Sequence, residues 1–151
     1  MKFVNLPVKI FLLLSLFSCN SVLAVDQVYT GYFSHKAISG FDAVAYFSEQ
    51  KPVRGSAKFT LEYKGADWYF SSQHNLNKFK KNPDYFLPQY GGYCAWAMAG
   101  NKTASGNAPF WTIYQDKLYL NYDQDTQDLW LANKDNLIKK AAKNWAKMDK
   151  K

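Results

Sequence analysis

Between Lys58 and Pro83 the hydrophobic pattern changes from a period of two to a helical period, and this change limits the folds open to the chain. Lys58–Tyr63 alternates polar and apolar side chains, as a strand with one buried face does. A turn at 64–67 separates this strand from an aromatic run at 68–70, so the two segments predict a β-hairpin. A helix is predicted next, and it must stop at Pro83 because proline inside a helix removes a hydrogen bond and clashes with the preceding turn.

The helix after the hairpin has a recognisable start and one apolar face. Ser71 or Ser72 can cap it, since a serine oxygen accepts the free backbone N–H groups of the first helical turn. Leu76 and Phe79 lie three residues apart, which places both on the same face of the helix. We expect this short central helix to pack with the hairpin.

The rest of the chain predicts a second hairpin and C-terminal helices. Trp111–Tyr114 and Leu118–Tyr122 form the hairpin. A short helix capped by Asp125 runs to Leu131, and a longer helix begins at about Asn133. The apolar residues of the longer helix step by four, four and three: Leu137, Ala141, Trp145 and Met148.

Two short segments complete the predicted fold. Ala43–Phe47 is apolar and is predicted as a short buried strand, whereas Tyr93–Ala99 is predicted as a short helix that ends at Gly100. No internal repeat is visible in the sequence. The fold class is therefore α+β, with two β-hairpins packed with a short central helix and C-terminal helices in a single domain at 25–151.

Residues 1–24 have the features of an export signal. Lys2 and Lys9 give a positively charged start, Ile10–Phe17 is apolar, and the small residues needed for cleavage end at Ala24. The apolar run is too short to span a bilayer, so no transmembrane segment is expected in the mature chain. We expect a periplasmic or secreted protein, with a lipoprotein anchored at Cys19 as the alternative.

The charge of the chain argues against nucleic acid as a partner. The net charge is +7 and falls to +5 without the leader, which carries two lysines and no acidic residue. A modest basic surplus favours solubility and weak attraction to anionic surfaces. No basic helix carries interleaved base-reading residues, as a nucleic-acid-binding protein would require.

Cys94 is the thiol of interest, because the other cysteine, Cys19, lies in the predicted leader. Cysteines of exported proteins are usually paired, but Cys94 then has no internal partner. It is therefore buried and inert, bound to a metal, paired with another molecule, or reactive. It follows Gly91-Gly92 at the expected start of a helix, where free N–H groups and the helix dipole would favour a thiolate.

Three further residues could join Cys94 as metal ligands. His74 offers an imidazole near the start of the central helix, and Met98 would share a helical face with Cys94 because it lies four residues later. His35, in an irregular segment, is a weaker candidate. A thiolate, a thioether and an imidazole together suit Cu(I). The ordinary alternatives are a cysteine and a methionine in the core and histidines at the surface.

Aromatic residues make up 18% of the chain and could line a groove for a sugar, a peptide or a flat ligand. The candidates are Tyr90, Tyr93, Trp96 and Trp111, and the alternative is that they fill the core. Asp42 precedes a short apolar segment and is expected to bond the backbone rather than to act as an acid or base. No nucleophile elbow, phosphate loop or HExxH motif is present, so catalysis is not implied.

The hairpin-to-helix passage resembles the YHS domain, a small module of metal-handling proteins that is also fused to some metal transporters and oxygenases. The family pattern is an aromatic strand, Cys-Ser-x-His-Cys or a close variant, a short helix with Phe, and then Asn-Pro-x-x-Tyr. The counterparts here are Tyr69-Phe70-Ser71-Ser72-Gln73-His74-Asn75, Phe79 and Asn82-Pro83-Asp84-Tyr85. Asp42–Phe47 and Tyr90–Ala95 resemble the exported, single-domain branch of this family.

The resemblance implies a metal-binding module, but the sequence departs from it at the ligands. Where metal-binding versions carry two cysteines, this chain has Ser71 and Asn75, and neither replaces a thiolate as a ligand for a soft metal. What remains of the pattern is His74 and, from the exported branch, Cys94. Copper is the first metal to expect at these residues, with another transition metal as the alternative.

Three functions are therefore open. The first is an exported YHS-type module that binds a transition metal through Cys94 and His74. The second is a module that binds a small ligand or an envelope protein through an aromatic groove. The third is a thiol-based redox protein, which requires Cys94 to be accessible.

Overall fold

The computed structural model describes residues 24–148 and residue 150. The predicted leader, apart from Ala24, lies outside the described residues, and so does Cys19. None of the helices in the described part of the chain combines the length and the apolar character needed to cross a bilayer.

The segment Ala43–Phe47, predicted as a buried strand, contains a helical turn instead, α1 (Ala45–Ser48). The Asp42 carboxylate accepts hydrogen bonds from the backbone N–H groups of Val44 and Ala45 at 2.9 and 3.3 Å. These bonds hold the chain in a tight turn and occupy N–H groups that a strand would offer to its neighbour. The strand prediction was therefore wrong, whereas the expected backbone-bonding role of Asp42 is confirmed.

The predicted first hairpin and the helix after it are confirmed. β1 (Ser56–Tyr63) pairs antiparallel with β2 (Ala66–Phe70), and α2 (Gln73–Lys81) follows. Every second side chain along β2 is buried, as the alternation of a strand requires. The Ser72 hydroxyl accepts the backbone N–H of Asn75 at 3.1 Å, so Ser72 is the residue that caps α2.

Two short helices follow α2. The one-turn helix α3 (Pro83–Phe86) was not predicted, and its first residue is suited to that position because proline has no N–H group to leave unpaired. A tight bend at Gln89–Gly92 leads to α4 (Ala95–Ala99), which ends at Gly100 as predicted.

The second hairpin and the C-terminal helices are also confirmed. β3 (Asn107–Tyr114) pairs antiparallel with β4 (Lys117–Asn121). They are followed by α5 (Gln124–Ala132) and α6 (Lys134–Lys147). The structure is thus mixed α+β with two hairpins, as the sequence predicts.

The cap of α5 differs from the prediction. Asp123, rather than Asp125, accepts the backbone N–H of Thr126 at 2.8 Å, and the Thr126 hydroxyl accepts the N–H of Asp123 at 3.0 Å. This reciprocal arrangement is a capping box, and it satisfies two backbone donors at once.

The structure contains an internal repeat, so the sequence-based conclusion that the chain has no repeat was wrong. A tight turn, a short helix, a hairpin and a capped helix occur in this order at 37–81 and again at 89–132, here called the first and the second repeat. The bounds of β1 and β3 lie 51 residues apart, and the same offset relates β2 to β4 and α2 to α5.

Backbone hydrogen bonds repeat together with the elements. The N–H of Gly55 donates to the carbonyl of Gly40 at 2.9 Å, and in the second repeat Gly106 donates to Gly92 at 3.1 Å. The side chains on this shared frame differ, since the buried residue Phe79 of α2 has Trp130 as its counterpart on α5. Other positions are identical, since the Gly55-x-Ala57-x-Phe59 run recurs as Gly106-x-Ala108-x-Phe110, so the sequence does carry a trace of the repeat.

The buried side chains form two hydrophobic clusters. The first is centred on β2 and α2, with Trp68, Phe70 and Phe79 fully or almost fully buried, and it also includes Leu118 and Leu120 of β4. The second joins α4, α5 and α6. The apolar face predicted for the last helix packs in this second cluster: Leu137, Ala141, Trp145 and Met148.

Candidate functional site

Asp42 is the most extensively hydrogen-bonded of the candidate side chains, although it is fully buried. Its Oδ2 atom accepts the backbone N–H of Ser71 at 2.8 Å, the Ser71 hydroxyl at 2.7 Å and the side-chain amide of Asn75 at 2.7 Å. With the two bonds from the turn before α1, the carboxylate accepts five hydrogen bonds. A buried carboxylate requires such partners, because its desolvation is otherwise unfavourable. Asp42 therefore ties the short helix α1 to the start of α2.

This arrangement occupies the positions at which metal-binding relatives are expected to carry cysteines. Ser71 and Asn75 both direct their polar side-chain atoms at the Asp42 carboxylate. Their donor hydrogens are thereby used, and hydroxyl and amide groups are poor ligands for a soft metal. The residues present at this position do not fit a thiophilic ion.

Tyr46 extends the same polar centre toward the second hairpin. Its hydroxyl donates to the carbonyl of Ala108 on β3 at 3.2 Å, and its ring packs edge-on against Trp111 at a centroid separation of 5.4 Å. Burial, with the nearby charge of Asp42 as the second cause, raises the pKa of Tyr46. The hydroxyl therefore stays protonated and acts as a structural donor.

Cys94 lies immediately before α4 and is fully buried. It is a free cysteine, and its sulfur contacts the side-chain oxygen of Asn121 at 3.8 Å. The same oxygen accepts the backbone N–H of Trp96 at 3.2 Å, whereas the amide nitrogen of Asn121 is buried without a hydrogen-bond partner among the described residues. Since solvent does not reach the thiol, reaction with a soluble partner requires the surrounding structure to open.

The two glycines before Cys94 allow close packing of the backbone. A Cβ atom at Gly91 would overlap the carbonyl oxygen of Gln27, and the residue has φ of +63°, a value that side chains disfavour. The carbonyl of Gly91 accepts the N–H of Tyr29 at 2.9 Å. The bend is thus glycine-rich because the N-terminal segment crosses it closely, and it does not expose the thiol.

The other predicted ligands are distributed over different parts of the molecule. Met98 is fully buried, belongs to the second hydrophobic cluster and donates its N–H to the Cys94 carbonyl at 2.9 Å. His74 is exposed on α2, whose apolar face packs in the first cluster, and His35 is exposed in the N-terminal segment. Within 24–148 and residue 150, no three or more His, Cys, Asp or Glu side chains are grouped so that they could hold a metal ion.

The four aromatic residues proposed for a groove lie in different environments, although Tyr90 and Tyr93 both pack against Trp145 in the second cluster. Tyr90 and Tyr93 are 6% and 7% exposed, and burial is the main cause that raises the pKa of each. Trp96 is 41% exposed on α4, while Trp111 packs against the first cluster. Tyr90 lines a recess with Trp145, and Tyr93 lines a different recess.

A different aromatic groove lies between α1, the end of α2 and α3, and is here called the α2–α3 groove. It has a volume of about 390 Å³. Phe47, Tyr85 and Phe86 are in mutual contact, with ring centroids 4.9 to 5.5 Å apart. Tyr85 is 43% exposed. The lining residues that matter for recognition are Val44, Phe47, Lys78, Lys81, Tyr85 and Phe86.

The charge at the α2–α3 groove is positive. Lys78 and Lys81 are exposed in the last turn of α2, where cations are favoured by the helix dipole. The ion pairs found among the described residues join Lys51 to Glu49 and Lys64 to Asp84, so neither groove lysine takes part in them. No acidic residue of the described part of the chain lines the groove. It therefore offers an apolar surface beside two cations, a combination that suits an apolar group carrying an acid.

The sequence prediction missed this groove because α3 was not predicted. The only signal was the Asn-Pro-x-x-Tyr run, which contributes Tyr85 and was used solely as a mark of resemblance. The arrangement depends on Pro83 starting a new helical turn directly after α2, and this turn places Tyr85 and Phe86 beside Phe47.

Residues 44–90 match the family model of the YHS domain, which confirms the resemblance for this stretch of the chain. No curated protein and no solved structure matches the chain. The matched stretch contains His74 and the whole α2–α3 groove, whereas Asp42 and Cys94 lie outside it. A YHS domain is compatible with a metal-binding module, and it leaves the metal and its ligands unspecified.

Proposed function

We propose that this chain, matched to the YHS domain over 44–90, is an exported binding module whose ligand site is the α2–α3 groove. The ligand is an apolar, preferably flat group that carries a carboxylate or another acid. The observation that supports this proposal is the contact of Phe47, Tyr85 and Phe86 beside Lys78 and Lys81, in a groove that no acidic side chain of the described residues lines.

The size of the groove limits the affinity. Burying one aromatic or aliphatic group contributes about 2–3 kcal/mol, and each exposed ion pair adds less than about 1 kcal/mol. The sum corresponds to a dissociation constant of roughly 1 mM, or somewhat below it, for a single anchoring group. Such binding is transient, so a physiological partner gains affinity from further contacts or from several copies of the group.

Titrations followed by NMR can test this proposal with two kinds of probe. Naphthoate represents a free aromatic acid, and an acetylated Glu-Phe-Glu amide represents an acidic segment of a partner protein. Both are expected to shift the signals of α1, α2 and α3, and the stronger probe identifies the source of the ligand. Neutral naphthalene methanol should bind more weakly, and added salt should weaken only the charged probes.

Charge-reversal variants supply the matched control. Lys78→Glu combined with Lys81→Glu is expected to lower the affinity for both acidic probes about tenfold or more, because attraction becomes repulsion. Lys139→Glu combined with Lys140→Glu changes the net charge equally on α6 and should leave the affinity nearly unchanged. Equal losses in the two double variants would contradict a site in the groove.

A copper site formed by Cys94 and His74 is the second candidate, and the family match is the observation that supports it. The sulfur is fully buried, while the imidazole is exposed on α2, whose apolar face packs in the first cluster. A shared ion would therefore require the two regions to rearrange. Both proposed functions predict export to the periplasm or the medium. Fractionation of cells that express the full chain tests this prediction.

A further inference from the structure

The N-terminal segment forms a loop whose two ends are fixed to the folded core. On one side the N–H of Tyr29 donates to the carbonyl of Gly91 at 2.9 Å. On the other side the carbonyl of His35 accepts the N–H of Asp67 at 2.7 Å. Between these points Gly31 turns the chain with φ of +80°. The residues after this glycine, Tyr32 and Phe33, are here called the aromatic tip.

The aromatic tip is exposed to an unusual degree. Tyr32 and Phe33 are 99% and 104% exposed, whereas the other exposed large hydrophobic residues of the described part lie between 39% and 55%. Two adjacent aromatic side chains that contact almost nothing contribute no packing energy to the fold. Their full exposure on an anchored loop therefore indicates a surface that contacts something else.

The charges around the tip have both signs, and Asp26, Asp67 and Asp84 balance the lysines there. Lys64, His35 and Asp26 line the recess behind the tip, and Lys64 also pairs with Asp84 at 2.9 Å. Lys36 follows His35 in the sequence. Lys150 pairs its backbone with that of Val25, near the start of this segment, but its ammonium donates to the carbonyls of Trp145 and Met148. The chain without the predicted leader has a net charge of +5, so the domain as a whole is basic.

The small size of the tip favours a lipid surface over a protein. Two aromatic side chains offer on the order of 400 Å², about half of what one partner contributes to an ordinary protein interface. A bilayer interface needs no complementary shape, and aromatic residues are enriched at the level of the lipid headgroups. The net positive charge of the domain adds weak attraction to anionic lipids.

We propose that the aromatic tip inserts into the interface of an anionic phospholipid bilayer and holds the folded domain at the membrane surface. Tyr32 and Phe33 bury their rings at the boundary between headgroups and acyl chains, and the net positive charge of the domain favours anionic lipids. One short anchor of this kind gives weak and reversible attachment. The α2–α3 groove lies elsewhere on the molecule, so the two proposals are independent.

Vesicle sedimentation tests the proposal with the chain from Ala24 onward, since the apolar run at 10–17 would itself bind lipid. Vesicles of phosphatidylglycerol and phosphatidylcholine are compared with vesicles of phosphatidylcholine alone. The wild-type domain is expected to bind the anionic vesicles more strongly. Tyr32→Ser combined with Phe33→Ser should lower the partition coefficient about tenfold or more. Its thermal unfolding should not change, because the two side chains are exposed.

Leu129→Ser combined with Leu131→Ser is the matched control, because these residues are 55% and 39% exposed on α5, away from the tip. This variant should keep the wild-type partition coefficient. Equal binding by the wild type and the tip variant would overturn the proposal. Absence of wild-type binding to anionic vesicles would overturn it as well.

Discussion

In the first repeat the residue two positions after Gly40 is Asp42, and in the second repeat the residue two positions after Gly92 is Cys94. The backbone of the two residues is bonded alike, since Asp42 donates its N–H to Val53 at 2.8 Å and Cys94 donates to Ala104 at 2.9 Å. Both side chains are fully buried before a short helix. One backbone position thus holds a carboxylate in one repeat and a thiol in the other.

The two repeats differ in the side chain that accepts the free backbone N–H group at the start of the short helix. In the first repeat, Asp42 itself accepts the N–H of Val44 at 2.9 Å. In the second repeat, the equivalent N–H, from Trp96, donates to Asn121 of β4 at 3.2 Å. Because Asn121 has taken over this task, Cys94 fills space in the core. The polar residue essential to the first repeat is therefore the one that sequence reasoning assigned a minor role.

Replacing Asp42 is expected to have the largest effect. Asp42→Ala leaves the donors of Ser71, Asn75 and the turn before α1 without their acceptor in a buried site. Each unsatisfied donor costs about 1–3 kcal/mol, but the site relaxes, so we expect a loss of about 3–5 kcal/mol in the free energy of unfolding. Urea denaturation followed by circular dichroism measures it.

Asp128→Ala is the control for this variant, since Asp128 is exposed on α5 and accepts one hydrogen bond from the Gln124 side chain. It should change the free energy of unfolding by less than about 0.5 kcal/mol. If Asp42→Ala were equally mild, the five hydrogen bonds would not be what holds the first repeat together.

Cys94 is expected to behave as a packed core residue. Its reaction with iodoacetamide should be slower in the native protein than in urea by on the order of a thousandfold or more, because labelling must wait for opening. Cys94→Ala should cost only about 1–2 kcal/mol, less than Asp42→Ala, since it removes one buried atom. Mass spectrometry of timed samples measures the labelling, and rapid labelling of the native protein would restore the redox hypothesis.

The copper hypothesis makes a contrasting prediction for the same residue. If Cys94 is only a core residue, then the wild type, Cys94→Ser and His74→Ala bind copper with equal stoichiometry and affinity. Titration of the reduced proteins with Cu(I) against a competing chelator gives both quantities. A loss of affinity in both variants would show that the two residues meet in a conformation different from the one described.

Sequence reasoning predicted those parts of the fold that depend on local patterns. The alternation at Lys58–Tyr63 gave the first hairpin, and the spacing from Leu137 to Met148 gave the buried face of α6. Ala43–Phe47 was mispredicted because a run of apolar residues is compatible with a strand or a helix. The deciding factor, the bonds from the Asp42 carboxylate, is itself a local hydrogen-bonding effect.

The candidate site was predicted less well, because it depends on contacts between distant residues. Cys94 was predicted in the first turn of a short helix and lies immediately before that helix, but its burial follows from β4 and Asn121, 27 residues later in the sequence. Likewise, Asn75 meets Asp42 across 33 residues. A single sequence does not contain these distances, so the sequence left open whether the thiol is buried, metal-bound or reactive, and it assigned the carboxylate only a local backbone-bonding role.

Asp84 is an exposed carboxylate that can be compared with the buried Asp42. Replacing it is expected to have the smallest effect on the free energy of unfolding. Hydrogen bonds from the Lys64 ammonium at 2.9 Å and from the Tyr63 hydroxyl at 3.1 Å lower the pKa of Asp84, and the bond to Asp84 raises the pKa of Lys64. The lowered pKa of Asp84 means that its bonds stabilise the fold at pH values above 3.8, the ordinary carboxyl pKa. This stability is lost as the pH falls through the folded pKa of the carboxyl. The raised pKa of Lys64 means that the same pair stabilises the fold at pH values below 10.5. This stability is lost as the pH rises through the folded pKa of the lysine.

Asp84→Asn should therefore reduce the free energy of unfolding slightly at neutral pH, and the difference from the wild type should vanish in acid and in strong base. High salt should shrink the difference at neutral pH, because both side chains are accessible to solvent. Urea denaturation of both proteins across the pH range measures this difference. If Asp84→Asn lowered the free energy of unfolding as much as Asp42→Ala, burial would not explain the different contributions of the two carboxylates to stability. The polar centre around Asp42 would then be no more important than an ordinary surface ion pair.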